Sequence, residues 1–477
     1  MVFFKLIDRI LGVASTLLLA RLLVPADFGL VAMAMSVLAI IELATSFNFE
    51  VALIQRREVE RIHYDSAWTL NAMLAVACGS VTALLAYPTA LFYSEPRLTT
   101  VMLVLAGGWM LGGTENIATV DFRRRLDFRR EFLYLVVRRT LTFLLTIILA
   151  LSLRSYWALV AGSIGGKLIG VLLSYLMHPF RPRPSLQAAR ELIGFSGWLL
   201  ASNLVVVLQV KIPHFVVGRY LGVGPLGVFT IATEIAQLPS SDLILPIHRA
   251  VFPGFSRMAG DLALLRSTFL DVVAMVMLLA IPAAVGIAAV ADPMVRTLFG
   301  EKWIDAVPLI QVMSLASALA AVTSNNASAY LAMGRLRLLT LVATVRLLIL
   351  VPSAVVLTQA MGLLGAALAE LLVSLLILGV SLPLLFSRLE VSYLRFFSRT
   401  WRPLVGSALM AAGVQFVLDL MPSDTTGQSA LELLAGIMAG LLLYAVAIVL
   451  LWLVSGRPEG AERILLRRLM PMLKRVS

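Results

Sequence analysis

Cysteine and histidine are almost missing from this chain. Its one cysteine, Cys78, lies inside an apolar run, so no disulfide can form within the chain. The four histidines, His63, His178, His214 and His248, are scattered without metal-ligand spacing. Charge is scarce too: 14% of residues carry it, against 60% hydrophobic and a mean hydropathy of +0.94. A soluble domain cannot hide that much apolar surface, so the fold class is an all-α polytopic membrane protein. There is also no Gly-rich phosphate loop and no Ser/His/Asp arrangement, so nothing reads as an enzyme and no cofactor is expected.

What is present is a series of apolar runs, each near the roughly 20 residues that cross a hydrocarbon core. They fall at 3–22, 28–50, 66–88, 98–120, 132–152, 156–178, 193–217, 225–246, 268–291, 304–332, 338–358, 362–386, 403–421 and 430–454, which makes about fourteen transmembrane helices. The first run could pass for a signal peptide. Asp8 and Arg9 interrupt it and a second run follows at once, so it reads as a retained helix.

The net charge of +12 would suggest nucleic acid in a soluble protein. Here the basic residues sit in short loops, and the positive-inside rule accounts for them without a nucleic-acid partner. With the N-terminus in the cytoplasm, 28 of the 39 Lys and Arg fall on the cytoplasmic side and 6 on the other. Miscounting one helix would destroy that split. Both termini are therefore expected in the cytoplasm. The run from Arg123 to Arg130 belongs to this topology signal and to contact with lipid headgroups. No loop on the outer side is long enough to hold a catalytic domain.

Between the first two runs lies a tight joint, Arg21-Leu22-Leu23-Val24-Pro25-Ala26-Asp27-Phe28-Gly29. Pro25 fixes φ, Asp27 can accept from backbone N–H groups, and Gly29 opens the next helix. A copy follows 198 residues later, where Arg219 and Gly227 keep the spacing of Arg21 and Gly29. A second echo pairs Leu91-Phe92-Tyr93-Ser94-Glu95 with Leu298-Phe299-Gly300-Glu301-Lys302. A third pairs Tyr156-Trp157-Ala158-Leu159 with Leu363-Leu364-Gly365-Ala366. Three matches in one order predict two pseudo-symmetric six-helix lobes, 1–178 and 193–388. A cytoplasmic linker at 179–192 joins them, and 389–477 adds a C-terminal helix pair and a basic tail. Six is even, so the repeat is parallel.

Polar residues at membrane depth are costly, and they face a cavity or a partner. Helices 6, 7, 8 and 10 carry stripes at helical spacing: Ser163, Lys167 and Ser174; Ser196, Asn203, Lys211 and His214; Thr230, Thr233, Glu234, Gln237 and Ser241; Ser314, Ser317, Ser324, Asn325 and Ser328. Such stripes suit helix packing as well as a wetter face. Among the charges, Arg138 and Arg139 lie near the cytoplasmic end, where they can snorkel. Lys167, Lys211 and Arg346 lie deeper and point to a cavity. The acids Glu42, Glu115, Glu234 and Glu370 can neutralise those cations as structural pairs or carry protons for coupling.

The joint from Ala20 to Val31 resembles the signature after the first helix of bacterial polysaccharide and lipopolysaccharide flippases. These form the polysaccharide transporter branch of the multidrug/oligosaccharidyl-lipid/polysaccharide exporter superfamily, and the likeness is strongest to colanic-acid and succinoglycan-type exporters. Ala52-Leu53-Ile54-Gln55-Arg56 and the stretch from Asp121 to Phe128 fit the same pattern. The resemblance implies fourteen helices, two lobes about a central cavity, and alternating access in the bacterial inner membrane. It implies a lipid-linked oligosaccharide substrate, a repeat unit on undecaprenyl pyrophosphate. Membrane lipids, a polysaccharide polymerase and chain-length proteins are the implied partners. Such relatives carry more residues before the first helix, so the resemblance reads the start here as truncated or misassigned, with Arg9 at membrane depth. On this reading Arg138, Lys167, Lys211 and Arg346 bind the pyrophosphate. A multidrug cation exporter of the same fold is the alternative, although a cationic cavity repels cationic drugs. A membrane polymerase or ligase needs a large outer loop, and a scaffold needs no buried charge.

Overall fold

The computed structural model describes residues 2–43, 49–56, 58–192, 197–240, 244, 247, 251, 254–255, 257–258, 260–421, 426–458, 460 and 462–463. Ser196, Ser241, His248, Arg249 and the basic positions Arg467, Arg468, Lys474 and Arg475 lie outside the described residues. Among the described residues the chain is nearly all helical and has no strand. Ten of its helices are long and apolar enough to cross a membrane. The chain divides into two compact units, Met1–Gly227 and Val228–Ser477.

The first unit contains α1 (Val2–Leu22), α2 (Pro25–Leu43), α3 (Phe49–Gln55), α4 (Arg61–Tyr93), α5 (Arg97–Gly112), α6 (Asp121–Arg124), α7 (Phe128–Leu153), α8 (Trp157–Met177), α9 (Ala189–Leu192) and α10 (Gly197–Leu221). At its end α11 (Val223–Ala236) begins. Of the run expected at 28–50, the described residues lie in α2 and α3. α4 packs on α5, α5 on α8, α8 on α7, α7 on α1, and α2 on α10. The last contact explains why the compact unit reaches Gly227 rather than stopping at 178.

Glycine sets how closely α7 and α8 approach. Gly162, Gly166 and Gly170 recur every fourth residue on α8, and a Cβ on them would meet Thr146, Thr142 and Arg138 respectively at 2.5, 2.8 and 2.6 Å. Small residues at this spacing let helix backbones close up in lipid, where no hydrophobic force drives association. At the joint between α1 and α2, Asp27 accepts from the backbone N–H of Val24 at 3.2 Å and of Tyr156 at 3.0 Å. One carboxylate thus fastens the joint to the start of α8. Charge on α1 is neutralised in the same unit: Asp8 pairs with Arg139 of α7 at 2.8 Å.

The linker from Arg181 to Ala188 lies as a strap along α4. The backbone N–H groups of Arg183, Ser185 and Ala188 donate to Asp65, Thr69 and Ser66 at 2.7, 2.9 and 3.1 Å. Extended chain has no internal partners, and these side chains satisfy its donors. Beyond it, Arg56 pairs with Glu191 at 2.5 Å.

In the second unit, Leu262–Ala289 packs on Ala306–Thr323 and on Tyr393–Asp419, which in turn packs on Thr426–Val454. Phe255, Phe269, Tyr330 and Phe386 fill one core. The span Leu336–Leu389 breaks at Gly362, whose φ of +62° suits glycine. Two helices, expected at 338–358 and 362–386, meet at that break. Their turn is tight, because a Cβ on Gly365 would lie 1.9 Å from the Leu357 carbonyl oxygen. Within the second echo Ser94 takes a left-handed φ of +56°, and Gly300 an extended conformation with a φ of +93°. Ion pairs lie beside both, Glu95 with Arg97 at 2.8 Å and Arg296 with Glu301 at 2.9 Å. Arg97 donates to Glu95, and this holds the carboxyl below its usual range.

Candidate functional site

A cavity of about 440 Å³ opens inside the first unit. α2 brings Glu42 to it, α3 Glu50, α4 Asn71, α5 Trp109, the turn after α5 Glu115 and Asn116, α7 Arg138, and α8 Lys167. Four of the eight residues singled out from the sequence, Glu42, Glu115, Arg138 and Lys167, therefore share one chamber. Its lining holds three carboxylates and two cations, so its walls are of mixed charge.

The turn bearing Glu115 is held from three sides. Trp68 Nε1 and Tyr175 Oη donate to the Thr114 carbonyl at 3.2 and 2.9 Å. The Asn116 N–H donates to Ser174 Oγ at 3.0 Å, and Asn116 Nδ2 to the Phe180 carbonyl at 2.8 Å. With the turn fixed, Glu115 accepts from Arg138 Nη1 at 2.8 Å and from the Tyr134 hydroxyl. Gly170 makes room for this guanidinium, since a Cβ there would lie 2.6 Å from Arg138 Cζ.

Lys167 is placed differently. Its Nζ lies 3.7 Å from the centroid of the Trp109 ring, a cation–π contact, and Gly112 leaves space for its methylenes. Glu50 pairs with Arg123 at 3.4 Å, and Arg123 also holds Glu131 at 2.6 Å. A chain of ion pairs thus leads from the basic α6 region to the chamber.

The other four candidates lie elsewhere. Lys211 is on α10 and does not line this cavity. Arg346 and Glu370 pair with each other at 3.1 Å within the second unit. Glu234 is on α11. Sequence reasoning missed Glu50, Asn71, Trp109, Asn116 and Tyr134. An aromatic in an apolar run looks the same whether it meets lipid, core or a lysine. Glu50 gave a usable signal, as an acid directly after Phe47-Asn48-Phe49 at the end of an apolar run.

A family model described as polysaccharide biosynthesis protein matches residues 18–308. The chain belongs to the polysaccharide biosynthesis protein family. It is 26% identical over 475 residues to the succinoglycan biosynthesis transport protein ExoT of Rhizobium meliloti (strain 1021), covering 96% of this chain and 91% of that one. It is 24% identical over 374 residues to the lipopolysaccharide biosynthesis protein WzxC of Escherichia coli (strain K12), covering 77% and 75%. Among solved structures, the fold is similar to the lipid II flippase MurJ in an inward closed conformation. That match has a TM-score of 0.71 at 13% identity and covers 94% of this chain and 98% of that one. A multidrug resistance MATE family transporter in an inward-facing conformation follows with a TM-score of 0.65 at 17% identity, covering 80% and 94%. These two likenesses concern the fold.

Proposed function

We propose that this chain is a flippase. It moves undecaprenyl-pyrophosphate-linked oligosaccharide repeat units from the cytoplasmic to the periplasmic leaflet of the bacterial inner membrane, for surface polysaccharide synthesis. The observation that carries this reading is the charged chamber within an otherwise apolar helical unit, in a chain of the polysaccharide biosynthesis protein family. Arg138 and Lys167 are the phosphate contacts. Arg can grip phosphate oxygens bidentately, and Lys acts as a point charge. Each has a holding partner when no phosphate is present, Glu115 for Arg138 and Trp109 for Lys167. Neither cation is then left bare in a low-dielectric setting, where an unpaired charge is costly. An arriving pyrophosphate takes over these partners' role. Lys211 is proposed as a further phosphate contact along the path, whereas Arg346 is proposed as the structural partner of Glu370.

The proposed topology has fourteen spans. Ten long apolar helices are joined in this count by the shorter apolar helices α5 and α11 and by α1, and the break at Gly362 makes two spans of one. The even count fits cytoplasmic termini and a parallel repeat of 1–178 and 193–388, with the last pair appended.

A second reading, a multidrug cation exporter, draws on the three carboxylates of the chamber. Two of these, Glu50 and Glu115, already hold arginines, which lowers their pull on a cationic drug. The deciding experiment deletes the gene and measures surface polysaccharide and lipid-linked repeat units. Loss of polymer with repeat units retained on the cytoplasmic face supports the flippase. Unchanged polymer together with loss of ethidium efflux transfers the assignment to drug export.

A further inference from the structure

A second cavity, of about 450 Å³, lies wholly inside the second unit, between the helices Leu262–Ala289, Tyr393–Asp419 and Thr426–Val454. Its walls are apolar, and the helix register shows how they are made. Gly436, Gly440 and Tyr444 recur every fourth residue and share one face of the last helix. The first helix adds Gly286, where a Cβ would find nothing nearer than Met410 Cε at 3.7 Å. Three glycines thus withhold the side chains that would fill the slot.

One end of the slot carries a compensated defect. Pro282 has no N–H, so the Leu278 carbonyl four residues earlier loses its helical donor. The Tyr444 hydroxyl donates to that carbonyl instead, at 2.7 Å. This end is satisfied within the protein and asks nothing of a ligand.

The other end is not satisfied. Glu432 continues the stripe one turn beyond Gly436. It keeps 5% of its surface exposed, and no donor among the described residues reaches its Oε1. A buried carboxylate oxygen without a donor is costly. The chain here is acidic as well. The segment Ala291–Phe299 packs on the last helix, and the stretches 291–306 and 415–432 hold six acids against Arg296 and Lys302. Arg296 is already engaged by Asp292 and Glu301, both at 2.9 Å.

We propose that this slot is the site of a resident phosphatidylethanolamine. One acyl chain fills the slot, and the ammonium group donates to Glu432. Length and charge choose this lipid. From Leu433 to Tyr444 the slot runs about 16 Å at 1.5 Å per residue, half of the roughly 30 Å hydrocarbon core. An acyl chain of a single leaflet has that reach, whereas an undecaprenyl chain is far too long. An anionic glycerol headgroup would bring charge of the same sign to an acidic end, and an ammonium is attracted there. On the topology proposed above, the lipid belongs to the periplasmic leaflet. Bound there, it fills the space that the glycines leave between the last helix pair and Leu262–Ala289.

The test uses the full chain, purified from membranes in a mild detergent, with native mass spectrometry as the readout. Phosphatidylethanolamine and phosphatidylglycerol with the same acyl chains are added in equal amounts. The unaltered protein should retain one phosphatidylethanolamine roughly tenfold over phosphatidylglycerol. Glu432→Gln should bring the two lipids level. Gly286→Leu, which fills the slot, should cut retention of both roughly tenfold. If Gly286→Leu fails to reach the membrane, Ile437→Trp takes its place, at a lining position open to lipid. Equal retention by the unaltered protein overturns the proposal, and so does an unchanged preference in Glu432→Gln. Retention undiminished by a filled slot puts the lipid elsewhere and ends it too. Undecaprenyl phosphate should not displace the phosphatidylethanolamine; displacement would give the slot to the carrier lipid and overturn the proposal. None of these readouts uses polymer export, so the lipid site can fail while the flippase reading holds, and the reverse.

Discussion

Each unit holds a half-buried arginine–glutamate pair, and the two pairs have different surroundings. Arg346 and Glu370 sit on the two arms of Leu336–Leu389, either side of the break at Gly362, and bond at 3.1 Å. They staple a hairpin and need nothing more. Arg138 and Glu115 bond at 2.8 Å, but they also share Tyr134 and open onto a chamber with Lys167. A pair that closes on itself neutralises charge. A pair with a third partner and space in front of it can exchange that partner. Buried ion pairs add little net stability once desolvation is counted, so their surroundings are the better guide to purpose.

The largest expected effect follows from that difference. Arg138→Ala and Lys167→Ala should each abolish polymer export, with the protein still present in the membrane at normal amount. Lys211→Ala should have a smaller effect, because Lys211 lies off the chamber. Arg346→Ala with Glu370→Ala should export within a few-fold of normal. Export assays on membranes matched for protein amount decide it. If the Arg346/Glu370 double variant is as dead as Arg138→Ala, the contrast between the two pairs collapses.

The comparison sharpens with Gly170→Ala, a change that touches no charge. Its methyl would meet the Arg138 guanidinium, which must shift from its present place beside Glu115. A guanidinium pushed out of position cannot grip phosphate bidentately, which should weaken substrate binding roughly tenfold, about 1.4 kcal/mol. Export should fall at low substrate supply and recover when supply is raised. The same change at Gly162, which faces Thr146 away from the chamber, should loosen packing without this dependence on supply.

Much of the fold was legible in the sequence, and the reason is physical. Lipid leaves backbone groups no partner outside a helix, so apolar length alone marks most spans. The 198-residue repeat of the joint was visible too, and it reappears as a reciprocal contact between Gly29 and Gly227. The charged half of the chamber could be read because charge at depth is rare. Its other half could not. Trp109 and Tyr134 sit in runs where aromatics are common, and the link from Glu115 to Arg138 crosses between segments whose spacing carries no signal. Asp8 looked like an interruption of α1, and its role emerges only with Arg139 beside it.

A double-mutant cycle measures the staple in the second unit. Arg346→Ala leaves Glu370 without its partner and should cost about 2 kcal/mol of stability in detergent, less than a fully buried pair because both side chains keep some exposure. Replacing both should recover about half of that loss. Equal losses in the single and double variants would mean that the arginine acts alone.

The smallest effect belongs to the clasp between Arg56 and Glu191, which ties α3 to the end of the linker in the first unit. The hydrogen bond from Arg56 holds the Glu191 carboxyl below its ordinary value of 4.5. A carboxyl depressed by folding stabilises the folded form above that ordinary value, and the contribution fades as pH falls through the lower folded value. The titration of Glu191 itself therefore leaves the clasp unchanged between about pH 5 and 8 and weakens it only under more acid conditions; His63, 3.6 Å from the same carboxylate, is the other titratable group that faces it. Glu191 is exposed, so solvent screens the pair and the gain is slight. In a His63→Gln background, melting curves with and without Glu191→Gln should differ by a small, constant amount across that range and converge on acidification. A difference that instead grew as pH fell would show that protonated Glu191 is the form the linker prefers, and the strap along α4 would then be held by Asp65, Ser66 and Thr69 alone.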